Sequence, residues 1–230
     1  MSEDTRRLLD RALYHAGSET LVLSDLHVGR EQTSAVELPI GARADLRERL
    51  AALLDAVAPD TVVLAGDVLH SFDRVPTGVS GTLDGLLEAI EDRDASPVVL
   101  EGNHDTMLAT VLDGSVQTAH RLDGETVVVH GHREPTIEAT RYVIGHEHPT
   151  IEIEGVRHPC LLECRDQYEG AAVTVLPAFT RLARGVAVNR LAADESASPL
   201  LTNVDRCRPT VRPNEETVTF PPLGEFRSML

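Results

Sequence analysis

The stretch VVLEGNHD at residues 98–105 joins a short apolar run to a strongly polar end. β-Branched residues and leucine in such a run predict a buried β-strand. A glycine follows the run, and after it come Asn103, His104 and Asp105, whose side chains can bind a metal ion or move a proton. The sequence therefore predicts a chemical function at the point where this strand ends.

The same arrangement recurs at four other places in the chain, where an apolar run leads directly into polar residues. The polar ends read SDLH at 24–27, AGDVLH at 65–70, HGH at 130–132 and GHEH at 145–148. We expect the ends of these five predicted strands to meet and to form one site.

The length of the chain predicts a self-sufficient hydrophobic core. A protein of 230 residues can bury roughly 70% or more of the surface that its unfolded chain exposes. We find no repeat, linker or low-complexity segment, so we expect one domain over residues 1–230. Residues 191–230 show the weakest pattern and are predicted to be a C-terminal extension with one closing strand at 218–220.

The charge of the chain is strongly negative, with 37 acidic and 21 basic residues, and every basic residue is arginine. This composition is typical of archaeal halophiles, which keep a high salt concentration inside the cell. A net negative charge ordinarily argues against nucleic acid as a partner. In molar salt the Debye length falls to about 3 Å, so a local arginine patch could still bind DNA or RNA.

Cysteine usage and the N-terminus predict a cytoplasmic protein. Cys160, Cys164 and Cys207 are too few and too irregular for a disulfide framework, and we expect ordinary core thiols in a reducing interior. The first ten residues are polar and do not resemble a signal peptide. No stretch approaches about 18 uncharged apolar residues, so we expect no membrane association.

The apolar periodicity predicts a mixed α/β architecture. Helix, strand and helix alternate in the first half, which favours a parallel sheet, whereas short strands and turns in the second half favour an antiparallel or mixed sheet. The predicted helices are 5–16, 42–57, 83–90 and 106–112, with a loop at 28–41. The predicted strands are 20–23, 61–64, 98–100, 116–119, 126–130, 142–144, 150–153, 159–164 and 171–176.

The polar ends of the strands supply oxygen and imidazole groups but no thiolate. Such donors suit manganese, iron, zinc or cobalt better than an all-oxygen calcium or magnesium site. If these donor groups are divided between two metal ions that share one carboxylate, room remains for a water molecule that bridges the ions. Such a site suits hydrolysis of a phosphate ester. The candidate ligands are Asp25, His27, Asp67, Asn103, His130, His146 and His148.

Taken together, the motifs resemble the signature of the calcineurin-like metallophosphoesterases. That signature contains Asp-x-His, Gly-Asp, Gly-Asn-His-Asp/Glu, a single His and Gly-His-x-His, and all five are present here between residues 21 and 148. The resemblance implies a four-layer α-β-β-α sandwich, in which two mixed β-sheets are flanked by helices. It also implies phosphodiester hydrolysis through a metal-bridging hydroxide.

The resemblance also implies roles for individual residues. Asp25, His27, Asp67 and His148 would hold the first ion, and Asp67, Asn103, His130 and His146 the second, so that Asp67 bridges the two. Manganese is the expected metal, with iron, zinc, cobalt or nickel as alternatives. His104 would protonate the leaving oxygen or stabilise the transferring phosphoryl group, and Asp105 would orient its imidazole.

Within that family the sequence looks most similar to small archaeal and bacterial proteins related to the SbcD and Mre nucleases, including ligase-associated endonucleases. The GDxxH form at 66–70, the GHEHP run and LPAF at 176–179 indicate this. This similarity implies a nuclease or phosphodiesterase that acts on DNA or RNA. The alternative is a phosphodiesterase or phosphatase of cyclic nucleotides or other nucleotides. A non-enzymatic scaffold is a remote alternative. A homodimer is compatible with either enzyme.

Three further residues near the motifs are expected to contact substrate: Arg30, His70 and His132. A basic rim around the metal centre would favour a nuclease, whereas a closed pocket would favour a small substrate. The candidate rim residues are Arg30, Arg43, Arg74, Arg133 and Arg141.

Overall fold

The computed structural model describes residues 6–32, 41–70, 75–213 and 216–229, and two β-sheets pack face to face in it. In chain order the first half contains β1 (Arg6–Leu9), β2 (Ala12–His15), β3 (Thr20–Leu23), α1 (Ala42–Val57), β4 (Thr61–Ala65), α2 (Val79–Glu91), β5 (Ser96–Leu100) and β6 (Val116–Gln117). The second half contains β7 (His120–Arg121), β8 (Thr126–Val128), β9 (Arg141–Ile144), β10 (Pro149–Ile153), β11 (Val156–Pro159), β12 (Leu161–Cys164), β13 (Ala172–Val175), β14 (Val186–Ala187), β15 (Cys207–Val211), β16 (Val218–Thr219) and α3 (Leu223–Phe226).

Both large sheets are mixed. In the described residues the first sheet has the order β1-β2-β3-β4-β5-β6, parallel from β3 onward. The second has the order β16-β15-β12-β13-β9-β8-β7, with β8, β9 and β13 parallel. A smaller sheet, β11-β10-β14, lies outside these two. The predicted α/β class with two mixed sheets is therefore confirmed.

Alternating side chains along the strands separate the interior into three apolar layers. Leu21 and Leu23 of β3 pack with the buried leucines of α1 and α2, whereas Val22 faces the second sheet. In the second sheet, Val143 of β9 faces the first sheet, and Tyr142 faces outward. This is the period of two that a strand buried on both faces requires.

The outer covering of the second sheet differs from that of the first. Two long helices, α1 and α2, cover the first sheet, and the bounds predicted for α1 are confirmed. The second is covered by the short α3, by one-turn 3-10 helices and by apolar residues of the C-terminal region such as Leu200 and Phe226. The closing strand near 218 is confirmed, but β15 was not predicted.

The predicted opening helix is wrong, because this segment forms the hairpin of β1 and β2. Leu8 pairs with Leu13 across the hairpin, and Asp10 takes a left-handed φ of 50° in the turn. The apolar residues fit a helical period and a hairpin equally well, and pairing of β2 with β3 selects the hairpin. His15 is the last residue of β2, and its Nδ1 accepts from the Ser18 N–H.

Two smaller predictions also need correction. The helix predicted at 106–112 is a single 3-10 turn, Leu108–Thr110. The strand predicted at 159–164 is divided between β11 and β12, because Cys160 lies between the two strands. Residues 33–40 of the predicted loop at 28–41 lie outside the described residues, as do residues 71–74.

The expectation of three ordinary core thiols is wrong for two of them. Cys164 and Cys207 are direct cross-strand partners of β12 and β15 and form a disulfide. Their separation of 43 residues along the chain hid this pairing, which only the strand register reveals. Cys160 is a free, buried thiol, and burial raises its pKa. Among the described helices, none has the length and apolar character needed to cross a membrane.

Candidate metal centre

The candidate ligands meet at one edge of the sandwich. Parallel strands bring their carboxyl ends to the same edge of a sheet. The ends of β3, β4 and β5 from the first sheet face the ends of β8 and β9 from the second. The loops after these five strands carry all the residues that the motifs singled out.

A first group of side chains contains Asp25, His27, Asp67 and His148. One ligand atom from each lies within 4.8 Å of the others. Nε2 of His27 and Nε2 of His148 are 3.2 Å apart, and Nε2 of His148 is 3.0 Å from Oδ1 of Asp25. Two imidazole nitrogens and two carboxylates that converge in this way fit a divalent cation.

A second group contains Asp67, His130 and His146, whose ligand atoms also lie within 4.8 Å of one another. Nε2 of His130 is 3.3 Å from Oδ1 of Asp67 and 3.3 Å from Oδ1 of Asn103. Asp67 thus belongs to both groups. The structure thus brings all seven candidate ligands to one place, with Asp67 common to the two groups.

Hydrogen bonds orient the ligands toward the centre. Nδ1 of His130 donates to the carbonyl of Ala65 over 2.9 Å, which directs Nε2 toward the centre as the atom that would bind a metal ion once it loses its proton. The His146 N–H donates to both carboxylate oxygens of Asp25, at 3.3 and 3.1 Å. These contacts join the loops of the two sheets.

Five of the candidate ligands have a left-handed backbone, which non-glycine residues rarely adopt. Such strain costs on the order of 1–3 kcal/mol per residue and tends to cluster at functional sites. The φ values are 58° for Asp25, 46° for His27, 48° for Asp67, 65° for His146 and 46° for His148.

Two glycines of the motifs allow the loops to approach so closely. A Cβ on Gly102 would overlap the backbone nitrogen and Oδ1 of Asp67. A Cβ on Gly145 would overlap the hydroxyl of Ser24 and would lie 2.5 Å from Oδ2 of Asp25. The absence of a side chain at these positions is therefore a condition for bringing the ligands together.

The electrostatics favour ionised carboxylates and mostly neutral histidines. Burial has the largest single effect on the pKa of Asp67 and raises it, but the hydrogen bonds and charges of His130, His104 and His27 together outweigh burial and lower that pKa overall. Burial lowers the pKa of His27 to about 3 and also lowers the pKa of His146. Burial would lower the pKa of His130 too, but its hydrogen bonds to Asp67 and Ala65 and the charges of Asp25 and Asp67 together raise it to about 9. These are mainly the protonation states that metal binding needs.

His104 lies beside both ligand groups. Its backbone N–H donates to Oδ1 of Asp67 over 2.9 Å, and its Nε2 is 3.8 Å from Oδ2 of the same carboxylate. Nδ1 of His104 lies 3.1 Å from the carbonyl of His70, so Nδ1 is the donor there and Nε2 faces the centre. With His27 and His70 it forms a third cluster of imidazoles.

Asp105 has a different role from the one expected. Its carboxylate accepts from the N–H groups of Gly102, Val68 and Leu69 at 2.9, 3.2 and 2.8 Å. It thus ties the loop after β5 to the loop after β4, and the carbonyl of His70 contacts the His104 imidazole instead. The reason is the turn geometry, which directs the carboxylate toward backbone donors.

The proposed substrate contacts flank the centre on two sides. The ring of His70 stacks on that of His104 with centroids 5.8 Å apart, and the charge of Arg30 contributes to the lowered pKa of His70 after burial. On the other side, the ring of His132 lies 5.3 Å from that of His130, and burial lowers its pKa to about 4. Nδ1 of both His70 and His132 is buried without a partner in the described structure.

The predicted basic rim is only partly present. Arg43 pairs with Glu31 over 2.8 Å, and Arg133 pairs with Glu101 over 3.1 Å. Arg141 is wrong as a rim residue, because β9 begins there and the ligands follow the other end of that strand. Arg74 lies outside the described residues.

Two segments that support the site were not predicted to be part of it. Residues 177–180 cross the end of β3, where the N–H groups of Phe179 and Thr180 donate to the carbonyls of Ser24 and Asp25. Residues 196–198 contact Glu147 and Gly131. For residues 196–198, the one sequence feature that indicated such a contact was Glu147, an acidic residue between the two histidines of GHEH.

Comparisons with known proteins identify the family of the chain and a solved structure that shares its fold. The model of the calcineurin-like phosphoesterase family matches residues 19–159. The crystal structure of the Pseudomonas putida nuclease MPE is similar, with a TM-score of 0.63, 21% identity and 94% of each chain covered, which shows a shared fold. Yfce, a phosphoesterase from E. coli, aligns with a TM-score of 0.45 and 15% identity over 85% of this chain and 88% of its own. A search of curated proteins finds no match.

The family match spans more than half of the chain and includes every candidate ligand. The donors that converge there are oxygen and imidazole groups, which suit divalent metal ions. The chain belongs to the calcineurin-like phosphoesterase family.

Proposed function

We propose that this protein hydrolyses phosphodiester bonds with two divalent metal ions and that its substrate is a strand of DNA or RNA. The observation that carries the proposal is the sharing of Asp67 by two groups of converging ligands. One ion would bind Asp25, His27, Asp67 and His148, and the other Asp67, Asn103, His130 and His146. Manganese is the proposed metal, and iron, zinc, cobalt or nickel would suit the same donors.

The chain's own residues prepare the reaction. Bound in pairs, such ions supply an activated water molecule and neutralise charge on the phosphate. His104 keeps Nδ1 on the carbonyl of His70, so Nε2, when protonated, can give its proton to the leaving oxygen. Asp105 fixes the loops that carry Asp67 and His104. His70, His132 and Arg30 would contact the substrate from the two sides.

A nucleic-acid substrate is supported by the resemblance to SbcD and Mre nucleases and by the fold shared with the P. putida nuclease. Arg30 and Arg133 lie on opposite sides of the centre, beside His70 and His132. They could contact the phosphates that flank the scissile one. We further propose a cytoplasmic location at high salt, which the charge composition suggests, and a homodimer is compatible with this function.

A small diester is the second candidate, and the pairing of arginines with acids favours it. Glu31 and Glu101 offset the charges of Arg43 and Arg133, which weakens attraction for a polyanion. Cyclic nucleotides or other nucleotides would need fewer basic contacts. A scaffold that binds metals without turnover is the third reading.

The test is manganese-dependent hydrolysis in molar salt of three substrates: bis-p-nitrophenyl phosphate, the corresponding monoester and a labelled single-stranded oligonucleotide. Cleavage of the diester and of the oligonucleotide would support the nuclease. Turnover of either small ester with intact DNA would support the second candidate. Binding of metal without turnover of any of the three substrates would support the non-enzymatic scaffold.

A further inference from the structure

Glu147 lies between two candidate ligands, His146 and His148, but its carboxylate is bound by a distant part of the chain. Only 6% of the residue is exposed. Its Oε1 accepts from the hydroxyl of Ser196 over 2.8 Å and from the N–H of Ser198 over 2.6 Å. Ser198 follows Glu147 by 51 residues, in the C-terminal region whose role the sequence left open.

Ser198 also contacts a second ligand loop. Its hydroxyl donates to the carbonyl of Gly131 over 2.6 Å, and Gly131 separates His130 from His132. The residue is buried, and its hydroxyl also accepts from the N–H of Leu200. One short segment, residues 196–198, thus connects the GHEH loop to the HGH loop.

The GHEH loop needs such support because its backbone is strained. His146 and His148 have φ values of 65° and 46°, on either side of Glu147. The Glu147 N–H donates to the carbonyl of Gly145 over 2.8 Å, which closes a three-residue turn around His146. Left-handed conformations of non-glycine residues persist only where surrounding contacts fix them. The buried carboxylate of Glu147 supplies such contacts in the middle of the strained turn.

We propose that Glu147 and Ser198 are positioning residues, which hold the HGH and GHEH loops in the geometry that binds the metal ions. The inference rests on the proposed metal-dependent function. It also gives residues 196–198 of the C-terminal region a part in the site, since they supply the donors for Glu147 and Gly131. Glu147 and Ser198 act through the histidines and not by contact with substrate.

The test compares the Mn²⁺ affinity of purified variants in competition with a chelating dye. Glu147→Ala and Ser198→Ala should weaken binding of at least one ion by about 10- to 100-fold, the usual loss when support of a ligand is removed. Glu147→Gln should retain most of the affinity, because its carbonyl oxygen can accept the same two hydrogen bonds.

Gln167 offers a matched control in the same half of the protein. It is buried, and its Oε1 accepts from the N–H groups of Thr202 and Asn203 at 2.9 and 3.0 Å. It thus also binds the C-terminal region, but it precedes β13, at the end of that strand opposite the metal centre. Gln167→Ala should lower the melting temperature of the metal-free protein and leave its Mn²⁺ affinity unchanged.

Two results would overturn the inference: wild-type affinity in both Glu147→Ala and Ser198→Ala, or an equal loss of affinity in Gln167→Ala, which would indicate general destabilisation. The metal-free melting temperature of each variant separates these cases. Because the readout is binding, a wild-type protein that binds Mn²⁺ but cleaves no phosphodiester would defeat the proposed function while this comparison still stood.

Discussion

Nε2 of His27 lies 3.2 Å from Nε2 of His148, and carboxylate oxygens of Asp25 and Asp67 lie within 4 Å of these nitrogens. In the metal-free protein one of these nitrogens must carry a proton for the two to hydrogen-bond, whereas a cation at this position would be bound by the lone pairs of both. We therefore expect an ion bound beside this pair of histidines to stabilise the folded protein.

Manganese should accordingly stabilise the folded protein. At 100 times its dissociation constant, an ion that binds only the native state adds about 2.7 kcal/mol, a rise in melting temperature on the order of 5–10 °C. His148→Ala should reduce that rise, as measured by calorimetry with and without Mn²⁺. His158→Ala, on β11, is the matched control and should keep the full rise. Equal rises in the two variants would contradict the assignment of His148.

His104 should be essential for turnover but not for metal binding. Its imidazole belongs to neither of the two predicted ligand sets, and a lost general acid usually costs on the order of 10²-fold or more in rate. We expect His104→Ala to lose at least that factor on bis-p-nitrophenyl phosphate and to retain its Mn²⁺ stoichiometry. A variant with unchanged turnover would remove His104 from the mechanism.

The stability of the metal-free protein should fall on the acid side of pH 6.5. The pKa of His27 is lowered to about 3 and that of His132 to about 4, so between these values and 6.5 the unfolded chain binds more protons than the folded one. His130, with a pKa raised to about 9, acts oppositely: its contribution is complete below 6.5 and is lost as the pH rises toward 9. Urea midpoints across this range, with chelator present, should peak near 6.5. A midpoint that rises steadily as the pH falls would contradict these shifts.

The disulfide predicts the thiol count of protein purified without reductant. Titration after denaturation should find one thiol, that of Cys160, and Cys207→Ser should lower the free energy of unfolding by about 2–4 kcal/mol. Three titratable thiols would instead support the reducing interior that the cysteine content suggests.

Local patterns were sufficient for most of the fold. Strand runs that end in polar residues located the loops of the site, and the apolar face of α1 fixed its bounds. Patterns failed where a contact distant in sequence decides the structure. The hairpin at Asp10 depends on the pairing of β2 with β3. The disulfide depends on the register of β12 with β15. The contact of Ser198 with Glu147 involves a segment whose sequence shows no periodicity.

The strand order of the two sheets has a consequence for folding. In the first sheet, spatial order equals chain order, so each strand pairs with its neighbour along the chain, and its contacts span shorter sequence separations than the pairing of β12 with β15 in the second sheet. In the second sheet, β15 must return to pair with β12 before the covering of that sheet is complete. Asp25 and Asp67 should therefore be in place before the histidines that follow β8 and β9. Pulsed hydrogen exchange during refolding should protect β3 and β4 before β12, and metal should be captured last.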